Sequence, residues 1–144
     1  MNEVYVPWSP LYEIGVSRID EQHRGLAALI SEFHAALGAG KAREQVFPVL
    51  NRLVRYVEEH FRDEEALMEA GHYPELLRQR REHEKLTLEI FALAERSQRG
   101  DAEITEEVME FLKSWLVDHI LHQDKKLEGF FRDRGVPAGW AKGL

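Results

Sequence analysis

Histidine, carboxylate and amide side chains recur in this sequence at positions where an amphipathic helix would carry apolar residues. His60 and Glu64 lie four residues apart, and so do Gln79 and His83. Residues at that spacing project from the same face of a helix, so each pair can bind a common centre. The polar residues that interrupt the four apolar stripes are His23, His60, Glu64, Gln79, His83 and His119.

This set of residue types predicts a metal site. Ionisable groups buried without partners each cost several kcal/mol, and a bound cation offsets that cost. The chain has no cysteine, so its metal ligands must be nitrogen and oxygen atoms. A single buried histidine is more often a hydrogen-bonded core residue, and we expect His34 and His72 to be structural or solvated. The joint placement of the others on four stripes favours a shared centre.

The spacing at the end of the fourth stripe leaves two alternatives. Asp124 follows His119 by five residues, which is about 140° around a straight α-helix. Both side chains can face the interior only if the helix forms a π-bulge or ends between them. In the other alternative His122, three residues after His119, is the second inner ligand and Asp124 is exposed.

These residues lie on helices that we predict from apolar periodicity, after an extended arm over residues 1–16. Ser17 and Asp20 resemble a capping box, Gly71 ends the second helix, and Pro74 suits the first turn of the third. Pro48 lies inside the second helix, which therefore starts after Gln45 or is kinked. The predicted helices span about 18–38, 41–70, 75–99 and 102–122, with a short terminal helix at about 125–134.

The fold class that these elements predict is all-α, an antiparallel up-down four-helix bundle with an N-terminal arm and a short C-terminal helix. The inner stripe of the fourth helix is predicted to contain Val108, Phe111, Leu112, Trp115 and His119. We expect the metal pocket to be lined by Leu26, Ile30, Phe61, Leu116 and Ile120. Each ligating histidine needs an acceptor for its second ring nitrogen, for which the candidates are Glu58, Glu59, Glu65 and backbone carbonyls.

Length and charge exclude several classes of function. The chain has 144 residues, which predicts a single domain over 1–144. Its net charge of −7 argues against nucleic-acid binding, and no apolar run is long enough to span a membrane. The zincin, phosphate-loop and dinucleotide-binding motifs are absent. We therefore expect a soluble cytoplasmic protein with neither a nucleic-acid nor a membrane partner.

Four motifs, in this order and spacing, resemble the hemerythrin family and specifically its single-domain bacterial members. The first is Trp8-Ser9-Pro10, followed by Gly15-Val16 and Ile19-Asp20-Glu21-Gln22-His23. The second consists of Tyr56, His60-Phe61, Glu64-Glu65 and Met68. The third is Tyr73-Pro74 followed by His83, and the fourth is Trp115, His119-Ile120 and Asp124.

The resemblance implies a non-haem centre of two Fe ions (Fe2+/Fe3+), joined by an oxo or hydroxo bridge, that binds dioxygen reversibly for storage, delivery or buffering. By that resemblance, His23 and His60 bind the iron that takes up oxygen, and Glu64 and Asp124 are bridging carboxylates, which favours Asp124 over His122. His83 and His119 are then ligands of the other iron.

Gln79 departs from the family pattern, in which a histidine is usual four residues before the one matching His83. An amide oxygen is a weaker ligand for Fe(II) than an imidazole. Three arrangements remain open: Gln79 binds iron through oxygen, Gln79 hydrogen-bonds a metal-bound water, or that iron has an open position. In each case the second iron is expected to accept exogenous ligands more readily.

We therefore expect a binding protein rather than an enzyme, with dioxygen, azide, nitric oxide or peroxide as its small ligands. One alternative is a di-iron oxidase or peroxidase, which Gln79 keeps open. Ferritin-like oxidases carry paired E-x-x-H motifs, and here the only such match joins Glu69 to His72 across Gly71. The other alternative is a sensor of oxygen, nitric oxide or redox state that acts through a separate partner.

Overall fold

The computed structural model describes residues 5–38, 43–99 and 106–140. It contains four long helices and a short terminal one: α1 (Ser17–Gly38), α2 (Arg43–Ala70), α3 (Leu76–Arg99), α4 (Glu106–Asp118) and α5 (Lys125–Arg134). A π-helical segment, His119–Asp124, joins α4 to α5, and a 3-10 turn, Pro10–Tyr12, lies in the arm. These residues contain no β-strand.

The helices form the predicted four-helix bundle, which confirms the fold class. Helix α2 packs against both α1 and α3, and α4 packs against α1. Helix α2 continues through Pro48 from its start at Arg43, so it does not begin after Gln45. Helix α3 begins at Leu76, two residues after Pro74. No helix of the described ranges is long and apolar enough to cross a bilayer.

The arm joins α1 through a sharp turn that Asp20 holds. Its carboxylate accepts hydrogen bonds from the backbone N–H of Ile14 at 2.7 Å and of Gly15 at 3.2 Å. Both donors lie in the arm before the helix. Asp20 therefore bonds the arm, whereas the predicted capping box would pair it with Ser17. Gly15 has φ +87°, a left-handed conformation that L side chains rarely adopt. The arm is thereby fixed to the first turn of α1.

Two apolar clusters fill the bundle, one above the other. The larger cluster contains Leu26, Phe61, Leu86 and Leu116, with one of these residues from each long helix. The smaller cluster lies towards the other end and contains Ile19, Leu67, Tyr73, Leu127 and Phe131. Along every long helix the chain passes from one cluster to the other through a short polar interval. The bundle therefore contains a polar layer between two apolar ones.

One predicted core residue lies on the surface. Phe111 is 47% exposed, whereas Met109, Leu112 and Leu116 are fully buried. These three follow the spacing of three and four residues that keeps one helix face inward, and Phe111 lies beside that face. Val108 and Ile120, also predicted to face inward, lie outside the described side chains.

Candidate metal centre

The polar layer brings together the six predicted ligands from all four long stripes. Each of them is at least 95% buried, and Gln79 is buried in the same layer. Along the chain, each of these residues lies between a member of the larger apolar cluster and a member of the smaller one, which places all of them at the same level of the bundle. The six residues are His23, His60, Glu64, His83, His119 and Asp124.

The potential ligand atoms form two groups that share a carboxylate. In the first, one atom from each of His23, His60, Glu64 and Asp124 lies within 4.8 Å of the others. In the second, atoms of Glu64, His83 and His119 meet the same limit. Nitrogen and carboxylate oxygen ligands at this density suit a first-row transition metal.

Glu64 faces both groups with different oxygens. Its Oε2 lies 3.3 Å from His60 Nε2 in the first group. Its Oε1 lies 3.1 Å from His83 Nε2 and 3.5 Å from His119 Nε2 in the second. A carboxylate placed in this way can contribute one oxygen to each of two cations.

Asp124 has the same two-sided placement. Its Oδ2 lies 2.6 Å from His23 Nε2, and its Oδ1 lies 3.3 Å from His119 Nε2. Because the π-helical segment adds one residue to the turn, residues five apart fall on one face, and Asp124 points inward with His119. His122, the alternative, has a side chain that is 68% exposed and lies 3.2 Å from Asp118. The structure therefore places Asp124 inside the bundle, as the first alternative required, and His122 on the surface.

Three of the histidines use their Nδ1 atoms outside the centre. His23 Nδ1 donates to the carbonyl of Tyr12 at 3.1 Å, and His60 Nδ1 donates to Gln22 Oε1 at 2.9 Å. His83 Nδ1 donates to Glu65 Oε2 at 2.9 Å. These bonds fix the ring orientations and leave each Nε2 lone pair turned towards the polar layer.

The sequence named two of these acceptor types and missed the third. Glu65 and a backbone carbonyl were among the candidates, but Glu58 and Glu59 are exposed on α2. Gln22 was missed, although it precedes His23 in a helix whose next turn is apolar. Its amide also donates to Asp63 at 2.6 Å, so Gln22 links His60 to the edge of the bundle.

The polar layer can hold a cation, because many of its buried polar atoms lack hydrogen-bond partners. Buried polar atoms nearly always have hydrogen-bond partners. Here seven buried polar atoms form no hydrogen bond, although most of them lie within 3.5 Å of another atom of this set. They are His60 Nε2, Glu64 Oε1 and Oε2, Gln79 Oε1, His83 Nε2, His119 Nε2 and Asp124 Oδ1.

The first group keeps its histidines neutral. Burial lowers the pKa of His23 and of His60 to about 4. Burial and the nearby Glu64 carboxylate raise the pKa of Asp124 well above its usual range. Because the Nδ1–H of a neutral His23 bonds Tyr12, its Nε2 is an acceptor, and the 2.6 Å contact with Asp124 requires the proton to lie on the carboxyl group.

The second group attracts protons. Burial acts to lower the pKa of His83, but Glu64 and Glu65 outweigh it and leave that pKa raised. Burial is likewise outweighed at His119, where Asp124 and Glu64 raise the pKa. Burial alone would raise the pKa of Glu64, but His119 and His60 hold it well below its usual range. Positive charge is therefore favoured in this part of the layer.

A protein-family model described as the Hemerythrin HHE cation binding domain matches residues 14–131. The chain belongs to the hemerythrin family. The bacteriohemerythrin of Stenotrophomonas maltophilia is 32% identical over 118 residues, which cover 82% of this chain and 76% of that protein. The bacteriohemerythrin of Methylococcus capsulatus is 30% identical over 106 residues, which cover 74% and 80% of the two chains.

Solved hemerythrin structures share this fold. The crystal structure of wild-type hemerythrin superposes with a TM-score of 0.81 and 27% identity, covering 87% of this chain and 96% of that one. The myohemerythrin of Theromyzon tessulatum is 29% identical over 85% of this chain and 90% of its own length.

Gln79 places an amide in the polar layer, four residues before His83. Its Nε2 donates to Gln123 Oε1, while its own Oε1 is buried without a partner. Gln123 was not among the predicted site residues, and only its position beside Asp124 hinted at a role. The two amides together occupy one side of the polar layer, next to the second ligand group.

A cleft of about 300 Å³ reaches that same side from the surface. It opens between α3 and α4, whose described residues are not closely packed against one another. Its lining includes His83, His119 and Gln123, with apolar walls from Leu86, Phe111 and Trp115. The second ligand group therefore borders a space large enough for small molecules, on the side where Gln123 accepts a hydrogen bond from Gln79.

Proposed function

We propose that this chain holds two iron ions in its polar layer and binds dioxygen reversibly. The observation that carries the proposal is the pair of ligand groups linked by two carboxylates, each carboxylate facing both groups with separate oxygens. The ligands would be His23, His60, Glu64 and Asp124 for one metal, and Glu64, Asp124, His83 and His119 for the other. Membership of the hemerythrin family supports the same assignment.

The charge of the layer supports two divalent ions. Two Fe2+ ions would bring four positive charges, and three of these would be neutralised by Glu64, Asp124 and a hydroxide bridge. The small residual charge can lie in an apolar pocket at much lower cost than an isolated ion. Iron supplies the redox-active centre that takes up dioxygen, a chemistry that no side chain of this cysteine-free chain supplies.

The surrounding residues favour binding over oxidation. Leu26, Ile30, Phe61 and Leu116 are all buried in the larger apolar cluster, on one side of the polar layer. Phe61 stacks face to face on His83, with ring centroids 3.9 Å apart. These side chains exclude water and bulky reductants, so that a bound small molecule is held without a supply of protons and electrons.

The test combines metal analysis with visible spectroscopy. Protein from iron-replete cells is expected to contain two irons per chain. An absorption band should appear on exposure to oxygen and disappear on deoxygenation over repeated cycles. Trace metal alone, or a spectral change that does not reverse, contradicts the proposal.

A second candidate function is oxidation or peroxidation at the His83/His119 metal. It is favoured by Gln79 together with the cleft that borders His83 and His119. In that case the metal has a weak or exchangeable ligand at the Gln79 position and accepts exogenous molecules. Gln79→His should then lengthen the autoxidation half-life and reduce azide binding from two per chain to one. Equal half-lives and equal azide stoichiometry in both proteins would remove this candidate.

A further inference from the structure

His83 differs from His23 and His60 in the charge of its outer partner. His23 donates to a neutral backbone carbonyl and His60 to the neutral amide of Gln22. His83 donates to the carboxylate of Glu65. An anionic acceptor makes an imidazole a stronger electron donor to a metal than a neutral acceptor does.

The Glu65 carboxylate is itself held in place. One oxygen accepts from His83 Nδ1 at 2.9 Å, and the other accepts from Arg80 Nε at 3.0 Å. The side chain of Glu65 is 20% exposed, so its charge is only partly screened by solvent. The ring of His83 is also fixed on its face by Phe61. Arg80, Glu65 and His83 therefore form a continuous polar chain that ends at the second ligand group.

The second group is also the smaller one, with three residues against four in the first. It contains two imidazoles, with the amide of Gln79 where a third is usual in the family. A neutral amide supplies less electron density to a cation than an imidazole. The anionic partner and the missing imidazole thus occur at the same metal position.

We propose that Glu65 is a positioning residue that compensates for Gln79, by strengthening His83 as a ligand so that the second metal is retained. This inference rests on the proposed metal binding, but not on oxygen binding. The carboxylate acts through the His83 ring and does not itself contact the metal. Removing its charge should weaken retention at one of the two metal positions and leave the other unchanged.

The test is a chelator competition on the Fe2+-loaded protein under anaerobic conditions. Glu65→Gln keeps a hydrogen-bond acceptor for His83 but removes the charge. It is expected to release one of its two irons about 10–100-fold faster than the wild type, the usual effect of losing such a partner. Glu69→Gln, which removes an exposed carboxylate one turn further along α2, is the matched control and should release iron at the wild-type rate.

The compensation itself is tested by a double variant. If Glu65 compensates for the missing imidazole, the double variant Glu65→Gln/Gln79→His should again release iron slowly. The increase in release rate that Glu65→Gln causes should then be at least several-fold smaller in the Gln79→His background than in the wild type. An equal loss in both backgrounds overturns the compensation, and unchanged release in Glu65→Gln overturns the role of Glu65. Metal-free melting temperatures show whether either variant has merely lost its fold; Glu65→Asp, which keeps the charge, then provides the second comparison and should release iron more slowly than Glu65→Gln.

The outcomes separate this inference from the proposed function. A wild-type chain that takes up two irons but shows no reversible oxygen binding contradicts the proposed function and leaves the role of Glu65 to be decided by the release rates. A wild-type chain that takes up no metal overturns both.

Discussion

Replacing Asp124 with Asn should change stability in opposite directions in the metal-free and metal-loaded proteins. In the metal-free protein, burial and the neighbouring Glu64 hold the pKa of Asp124 well above its usual range, so this group binds a proton more tightly when folded than when unfolded. Its contribution to stability is therefore lost as pH rises through that folded pKa. An amide needs no proton and can still donate to His23 Nε2.

The expected gain in the metal-free protein follows from the cost of keeping the Asp124 carboxyl group protonated at pH 7, where the unfolded chain would ionise it. Each unit between pH 7 and the unfolded pKa costs about 1.4 kcal/mol, so the gain from an amide, which needs no proton, is about 1–4 kcal/mol. For a chain of this length each kcal/mol changes Tm by about 4 °C, so metal-free Asp124→Asn should melt about 4–16 °C above the metal-free wild type at pH 7. The gain should shrink as pH is lowered, because the carboxyl group is then protonated in both states.

The loaded proteins should show the reverse order. With free metal at about 100 times its Kd, each site adds about 2.7 kcal/mol, so two sites raise the Tm of the wild type by about 20 °C. Asp124 faces both ligand groups, so the Asp124→Asn substitution removes one anionic ligand from each and should reduce this rise to less than half.

Calorimetric melts of both proteins, with chelator and with Fe2+ under anaerobic conditions, measure the two effects. Asp118→Asn, at an exposed position immediately before the π-helical segment, is the control and should leave both values unchanged. The reasoning is refuted if metal-free Asp124→Asn melts below the metal-free wild type, or if its rise in Tm on loading equals that of the wild type.

Two further predictions concern acid stability and helix packing. The pKa values of His83 and His119 are raised, while those of the other two histidines are lowered to about 4. Protons therefore compete with the second metal for its histidine ligands at a higher pH than they do at the first metal. Acidification should release iron in two steps, which a measurement of retained iron against pH will show. Release in a single step would contradict this. In Gly71→Ala the new Cβ would overlap the Phe131 ring, which should lower the free energy of unfolding by about 1–3 kcal/mol. Gly129→Ala has only the end of an arginine side chain nearby, and it should be neutral or stabilising by up to about 1 kcal/mol. Chemical denaturation measures both variants, and equal effects would refute the packing argument.

Periodicity was sufficient to predict six of the eight buried polar residues in the described ranges, but it missed Gln22 and left Asp124 open. His60 and Glu64 are four residues apart, and helix geometry alone places them on one face. The choice of Asp124 over His122 needed more, because a five-residue spacing is ambiguous until the backbone shows a π-helical turn. The family resemblance favoured the correct residue where the spacing left two alternatives.

The partners outside the polar layer could not be predicted in the same way. Gln22 bonds His60 and Gln123 bonds Gln79 across helix interfaces. Such contacts depend on the relative heights of two helices and on side-chain rotamers, neither of which periodicity determines. Phe111 was misplaced for a related reason, since an apolar residue at the edge of a stripe is buried only if a neighbouring helix covers it, and the α3–α4 side is open.

The π-helical segment sets the orientation of Asp124 and also that of helix α5, which follows it. Rewinding the same six residues as a regular α-helix, with none deleted, would rotate everything that follows by about 100°. Asp124 would turn away, and so would Leu127 and Phe131, which close the lower apolar cluster. The chain therefore cannot rewind this turn as a regular helix without also opening the smaller apolar cluster, so the placement of Asp124 and the packing of that cluster depend on the same turn.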